Sequence, residues 1–110
     1  MKIVRHEDIE KDLKNLRRFL APRESLEAWE RLFYWKGLKE TSGIEAFPGF
    51  GDHKIYKGRV VPMKENVGKS KGYRIIFQMT DANCCKIIVF SRHGIYSSEH
   101  ELMTMVKNRI

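Results

Sequence analysis

The sequence predicts an α+β fold: a small antiparallel sheet packed against an N-terminal helical hairpin, with a short helix at the C-terminal end. Three observations carry this reading. Apolar residues recur at spacings of three and four through the first forty residues. Apolar and polar residues alternate along strand-like runs between 53 and 92. The two patterns meet at "TSGIEAFPGFGD", residues 41–52, a glycine- and proline-bearing stretch that reads as a loop.

The elements follow in order. "KIVR", residues 2–5, forms a short edge strand. From Asp8 onward, Ile9, Leu13, Leu16, Phe19 and Leu20 make the stripe of an amphipathic helix. It stops at "AP", 21–22, because the residue before proline is pushed away from helical angles. A second helix starts at Pro22 or Ser25, carries Leu26, Trp29, Leu32, Phe33 and Leu38, and ends at Gly37 or at 41–43. Its run "FYWKG" holds more bulk than one stripe can bury, so part of it packs on a sheet or a partner. Strands follow at 53–61, 72–80 and 84–92, the last two joined by the short turn "DAN". In the tail, Ser97 or Ser98 caps a helix that carries Glu101, Leu102, Met105 and Val106. On this reading the hairpin covers one sheet face and leaves the other free for chemistry.

At 110 residues the chain reads as one domain, 1–110. No run approaches the ~18 apolar residues of a membrane span, and "MKIVRHEDIEKD" has no apolar core of a signal peptide, so the expected location is the cytoplasm. Cys84 and Cys85 are adjacent and point to opposite faces of a strand, so they read as reduced, structural thiols. "GFG" lacks the further glycine, the lysine and the following helix of a phosphate loop.

The charge is unevenly placed. Residues 1–40 hold ten basic and eight acidic side chains, whereas 54–92 hold nine basic ones against Glu65 and Asp81. That concentration suits a polyanion, and nucleic acid is the commonest. A solvated basic face is the plainer account.

Alternation sorts the cations. Tyr73, Ile75, Phe77 and Met79 share the core side of their strand, which leaves Arg74 on the open face with Ile76, Gln78 and Thr80. Lys57 and Arg59 share one side of the preceding strand. Arg92 falls on the side of Ile88 and Phe90, His93 lies just past the strand end, and Tyr96 follows. Lys54, Lys64, Lys69 and Lys71 flank this set as guides for a nucleic-acid backbone. The constellation suits RNA cleavage by internal attack. There the ribose 2′-hydroxyl loses a proton, the phosphorane-like transition state gathers negative charge, and the 5′-oxygen leaves. Arginine and lysine stabilise the charge, and His93, Tyr96 or Lys57 moves protons. The chemistry requires no metal or other cofactor, and the sequence offers no carboxylate cluster to hold one. Taken singly, each residue has a plainer role: Arg74 solvating a sheet face, His93 in a turn, Tyr96 capping the core.

From Lys54 to the C-terminus the chain resembles the RelE/ParE superfamily of toxins from bacterial and archaeal toxin–antitoxin systems. The carrying residues are "KIYKGRVVP", a basic linker, and "GYRIIFQMTDANCCKIIVFSRHGIYSSEHEL". The resemblance covers about half the chain. It implies the RelE-like fold and a metal-independent endoribonuclease (an mRNA interferase), often ribosome-dependent, silenced by a cognate antitoxin protein. It also implies roles. Arg74 is the phosphate-stabilising arginine, and Lys57 and Arg59 are a basic pair on the strand before. Arg92 or His93 is the basic residue ending the last strand, with Tyr96 as the aromatic group beyond. Two further readings stay open: a ParE-like toxin that binds DNA gyrase, and a non-catalytic RNA-binding domain.

Overall fold

The computed structural model describes residues 1–66 and 71–110. Among them lie β1 (Lys2–Arg5), α1 (Ile9–Asn15), α2 (Pro22–Glu40), β2 (Ile44–Ala46), β3 (Ile55–Val60), β4 (Tyr73–Asp81), β5 (Cys84–Arg92) and α3 (Glu99–Arg109). The five strands form one sheet in the order β1-β5-β4-β3-β2. The architecture is α+β, as the patterning predicts. No helix among the described residues is long and apolar enough to cross a membrane.

The sheet is mixed rather than antiparallel. β2 to β5 run antiparallel, but β1 lies parallel to β5, with Lys2 beside Cys84 and Arg5 beside Ile87. Hairpin connection forces neighbours to alternate direction; β1 is joined to β5 by no hairpin and escapes that constraint. The stretch 41–52 is not wholly loop, since Ile44–Ala46 adds an edge strand along Tyr56–Gly58. Between β4 and β5, Ala82 and Asn83 make the turn, and the Asp81 carboxylate accepts the Asn83 N–H at 2.7 Å.

One sheet face carries α1 and α2. Ile9, Leu13, Leu16, Leu26, Trp29 and Phe33 pack against Tyr73, Ile75, Phe77, Ile87 and Phe90. The helical stripe is shorter than its spacing suggests. α1 ends at Asn15, Leu20 stands 58 % exposed, and Leu32 is exposed on α2. α2 breaks at Gly37, whose φ of 72° lies in the left-handed region open to glycine. Of "FYW", Phe33 enters the core while Tyr34 and Trp35 face solvent.

The second face is not free. Phe47, Phe50, Ile55, Ile76, Ile88, Val89, Leu102 and Val106 form another apolar cluster there, with α3 as its lid. The unbroken apolar runs inside "RIIF" and "KIIVF", residues 75–77 and 87–90, mark strands buried on both sides; one-sided alternation hid this layer. A bulge in β5 contributes. Ile76 pairs with Val89 but Phe77 with Ile87, so Ile88 is the extra residue. Ile88 and Val89 both join the α3 cluster, and Phe90 returns to the α1–α2 side. The α3 cap is as expected: the Ser98 hydroxyl accepts the Glu101 N–H, while the Glu101 carboxylate accepts the Ser97 N–H and hydroxyl. Cys85 is buried in the first core, where burial pushes its thiol up to about 12; Cys84 is half-buried, and both are unpaired.

The glycine of "GYR" has a steric reason. A Cβ on Gly72 would stand 2.2 Å from the Val60 carbonyl oxygen and 3.0 Å from Pro62 Cδ. Gly72→Ala must therefore spread β3 from β4 at their shared end. We expect it to lower unfolding free energy by about 1–3 kcal/mol, the range of overpacked sites, measured by urea titration. A change within 0.5 kcal/mol, the usual range of a surface substitution, would show that this crossing relaxes freely.

Candidate nucleic-acid interface

The β3–β4 register assembles the cations. Arg59 lies directly opposite Arg74, and Lys57 lies opposite Ile76, so all three occupy the α3 side of the sheet. They line a cavity of about 260 Å³ closed at its edge by Gly43, Ile44 and Glu45 of the β2 segment. Two arginines facing each other across a strand pair repel and destabilise the sheet locally. Arg59 is exposed, Arg74 is half-buried, and its Nη1 is buried with no hydrogen-bond partner among the described residues. Such a nitrogen is one that an anion would satisfy.

Lys57 is occupied. Its ammonium pairs with Glu99 at the first turn of α3 and with Glu45 at 3.4 Å, and it sits 5.1 Å from the centre of the Phe47 ring. Burial works against its charge, but the hydrogen bond and charge of Glu99, joined by Glu45, outweigh this and raise its pKa. Lys57 is thus suited to hold positive charge and ill-suited to give up a proton. Neither carboxylate partner was visible from spacing: Glu45 comes from an unforeseen strand, and Glu99 is 42 residues away.

Arg92 is set apart from the other candidates. The β5 bulge returns it to the α1–α2 side, the face of Phe90 but not of Ile88, where it is 8 % exposed. Its guanidinium donates to both Glu65 carboxylate oxygens at 2.8 and 2.9 Å and to the Lys71 carbonyl at 2.9 Å. It also lies 4.4 Å from the Phe19 ring centre and 5.0 Å from that of Tyr73. This clamp ties Glu65 and Lys71 to the sheet end, and it puts Arg92 on the side opposite Ile88 and apart from Arg59 and Arg74, whereas alternation places it with Ile88. The Arg92 hydrogen bonds hold the Glu65 carboxyl below the usual carboxylate range.

His93 and Tyr96 do come together. A turn with Gly94 at φ 103° brings their rings to 5.8 Å between centres, inclined by 25°. His93 is exposed and Tyr96 rests against the α3 cluster. Arg74 pairs with Ser91, two residues before His93, so the stacked pair lies at the same end of the sheet as Arg59 and Arg74.

The guide lysines divide. Lys64 and Lys71 are exposed beside the Arg92 clamp, and Lys69 lies outside the described residues. Lys54 is at the far end of β3, on a separate cavity of about 760 Å³. There Lys36, Lys39 and Lys54 interleave with Glu40, Asp52 and Asp81, so that cavity gathers no strong field. The site that remains is a sheet-end cation pocket (Lys57, Arg59, Arg74) flanked by His93 and Tyr96. Set against protein-family models, curated proteins and solved structures, the chain finds no match.

Proposed function

We propose that the chain is a RelE-like toxin of a toxin–antitoxin system, a metal-independent endoribonuclease acting on mRNA, on the ribosome or free. The observation that carries this is the opposed pair Arg59 and Arg74, with Arg74 Nη1 buried and unpartnered beside a small open cavity. A phosphodiester there would relieve the repulsion, and one of its oxygens would accept from the unpartnered Arg74 N–H. His93 takes the proton of the ribose 2′-hydroxyl, and the 2′-oxygen bonds to phosphorus. The bond from phosphorus to the 5′-oxygen breaks, and that oxygen gains a proton from Tyr96 or solvent. The products are a 2′,3′-cyclic phosphate and a 5′-hydroxyl end. Arg59 and Arg74 stabilise the charge on the non-bridging oxygens. The basic sheet end also fits an acidic segment of a cognate antitoxin, on charge complementarity.

One observation favours a second reading. Lys57 holds its proton tightly and Arg92 is enclosed, so two of the candidate proton-movers and cations are withdrawn from chemistry. A domain of this fold that binds RNA without cutting it needs neither. The deciding experiment incubates the purified chain with a single-stranded RNA, with and without translating ribosomes, and analyses the termini. Cleavage to cyclic-phosphate ends in either condition supports the nuclease. Salt-sensitive binding with no product in both supports the binding domain. A parallel supercoiling assay tests the gyrase-directed alternative.

A further inference from the structure

We propose that the cleft beside Trp29 is a pyrimidine subsite that holds the base of the nucleotide whose phosphate meets Arg59 and Arg74; it rests on the nucleic-acid reading above. The cleft lies between α2 and the end of β3, measures about 140 Å³, and is lined by Ala28, Trp29, Leu32, Thr41, Arg59 and Val61 among others. A cavity of about 150 Å³ accepts one benzene ring, so this one accepts a single six-membered ring and is tight for a purine.

Its chemistry also suits a base. Trp29 is 5 % exposed, yet its indole N–H has no hydrogen-bond partner among the described residues. The neighbouring hydroxyls are engaged: Ser25 donates to the Ala21 carbonyl and accepts the Met63 N–H, and Thr41 donates to the Gly37 carbonyl. The indole is therefore the donor that an incoming carbonyl would satisfy, and every pyrimidine carries one at C2. Leu32 and Val61, 45 % and 47 % exposed, stand as apolar walls at the mouth. Arg59 lines both this cleft and the cation pocket, so the two adjoin at the end of β3, where β2 no longer flanks it.

The test uses ¹⁵N-labelled protein carrying Trp35→Phe, an exposed position, so that Trp29 gives the single indole resonance. Uridine 3′-monophosphate should move that resonance and the backbone amides of Lys57, Arg59 and Arg74. Ribose 5-phosphate should move the amides alone, and adenosine 3′-monophosphate should leave the indole unmoved. Ala28→Leu, which fills the cleft from a half-exposed helix position, should weaken uridine monophosphate binding about tenfold, toward that of ribose 5-phosphate. If the strand amides respond but the indole does not, the subsite is wrong and the phosphate site stands. If ribose 5-phosphate moves no amide, the phosphate reading fails. Uridine without phosphate then decides the cleft by itself: an indole shift retains the subsite, and no shift overturns it.

Discussion

Arg74→Ala is expected to lower RNA cleavage by about a hundred- to a thousandfold, the effect of removing one well-placed donor to a developing oxyanion. The fold should survive it. Arg74 makes no ion pair that the described residues reveal, its Nη1 lacks a partner, and it faces Arg59 across the strand pair. Removing one of two opposed cations relieves repulsion, so the variant should be as stable as the parent or slightly more so. Losing activity while keeping stability is the behaviour of a residue held in place for function. Arg74→Lys separates charge from shape. A lysine keeps the point charge but loses the planar fork, so it should restore RNA binding more fully than cleavage. The salt slope of binding should fall by about one contact in Arg74→Ala. Measured unfolding curves, binding isotherms at several salt concentrations and cleavage rates together decide the matter. An alanine variant with unchanged cleavage would remove Arg74 from the site, and one that unfolds would make it a structural residue.

Alternation put Lys57 and Arg59 together on one side of β3 and Arg74 away from the core side of β4, because β3 and the first half of β4 are regular and a regular strand obeys period two. The strand register then brings the three onto one face. It misplaced Arg92 relative to Ile88 because the β5 bulge adds one residue between them, and no residue type announces such an insertion. The helical stripes were legible, but not where α1 would end, since Leu20 continues the spacing without reaching the core. The second apolar layer was written in "RIIF" and "KIIVF"; their continuity, rather than their alternation, was the informative feature. The pairing of Lys57 with Glu99 and Glu45, and of Arg92 with Glu65, was beyond reach of spacing. Each partner comes from another element, and only the sheet order brings them within reach.

Asp12→Ala is expected to be the most destabilising of the substitutions considered, by about 3–5 kcal/mol. β1 ends beside Ile87, whose carbonyl takes the His6 N–H, so the outer edge of β5 from Ile88 to Phe90 has no strand neighbour among the described residues. Side chains complete it. The Asp12 carboxylate accepts the Phe90 N–H at 3.0 Å, and Arg109 donates to the Ile88 carbonyl at 2.9 Å. Asp12 and Arg109 then bind each other at 2.7 and 2.9 Å, with side chains 3 % and 9 % exposed. The hydrogen bonding of Arg109 to the Asp12 carboxylate is the largest cause raising the Arg109 pKa. One ion pair thus stitches α1 on one face, α3 on the other and the bulged edge between them. Alanine at 12 takes both short carboxylate bonds from a buried guanidinium, leaving it the Ile88 carbonyl and Asp8 at 3.6 Å, and leaves a buried N–H unmet, both unfavourable. Against a typical stability of about 5–15 kcal/mol for a domain, that loss is a large share. Arg109→Ala alone should cost nearly as much, because it leaves the carboxylate stranded. The double variant should then be more stable than the sum of the two losses predicts, by about 1–3 kcal/mol. Denaturant unfolding of the four proteins measures this coupling directly, and simple additivity would show that the pair does not act as a unit. Below its unfolding temperature, Asp12→Ala should still cleave RNA if the cation pocket is the reactive site. Its deficit lies in the frame, where that of Arg74→Ala lies in the chemistry.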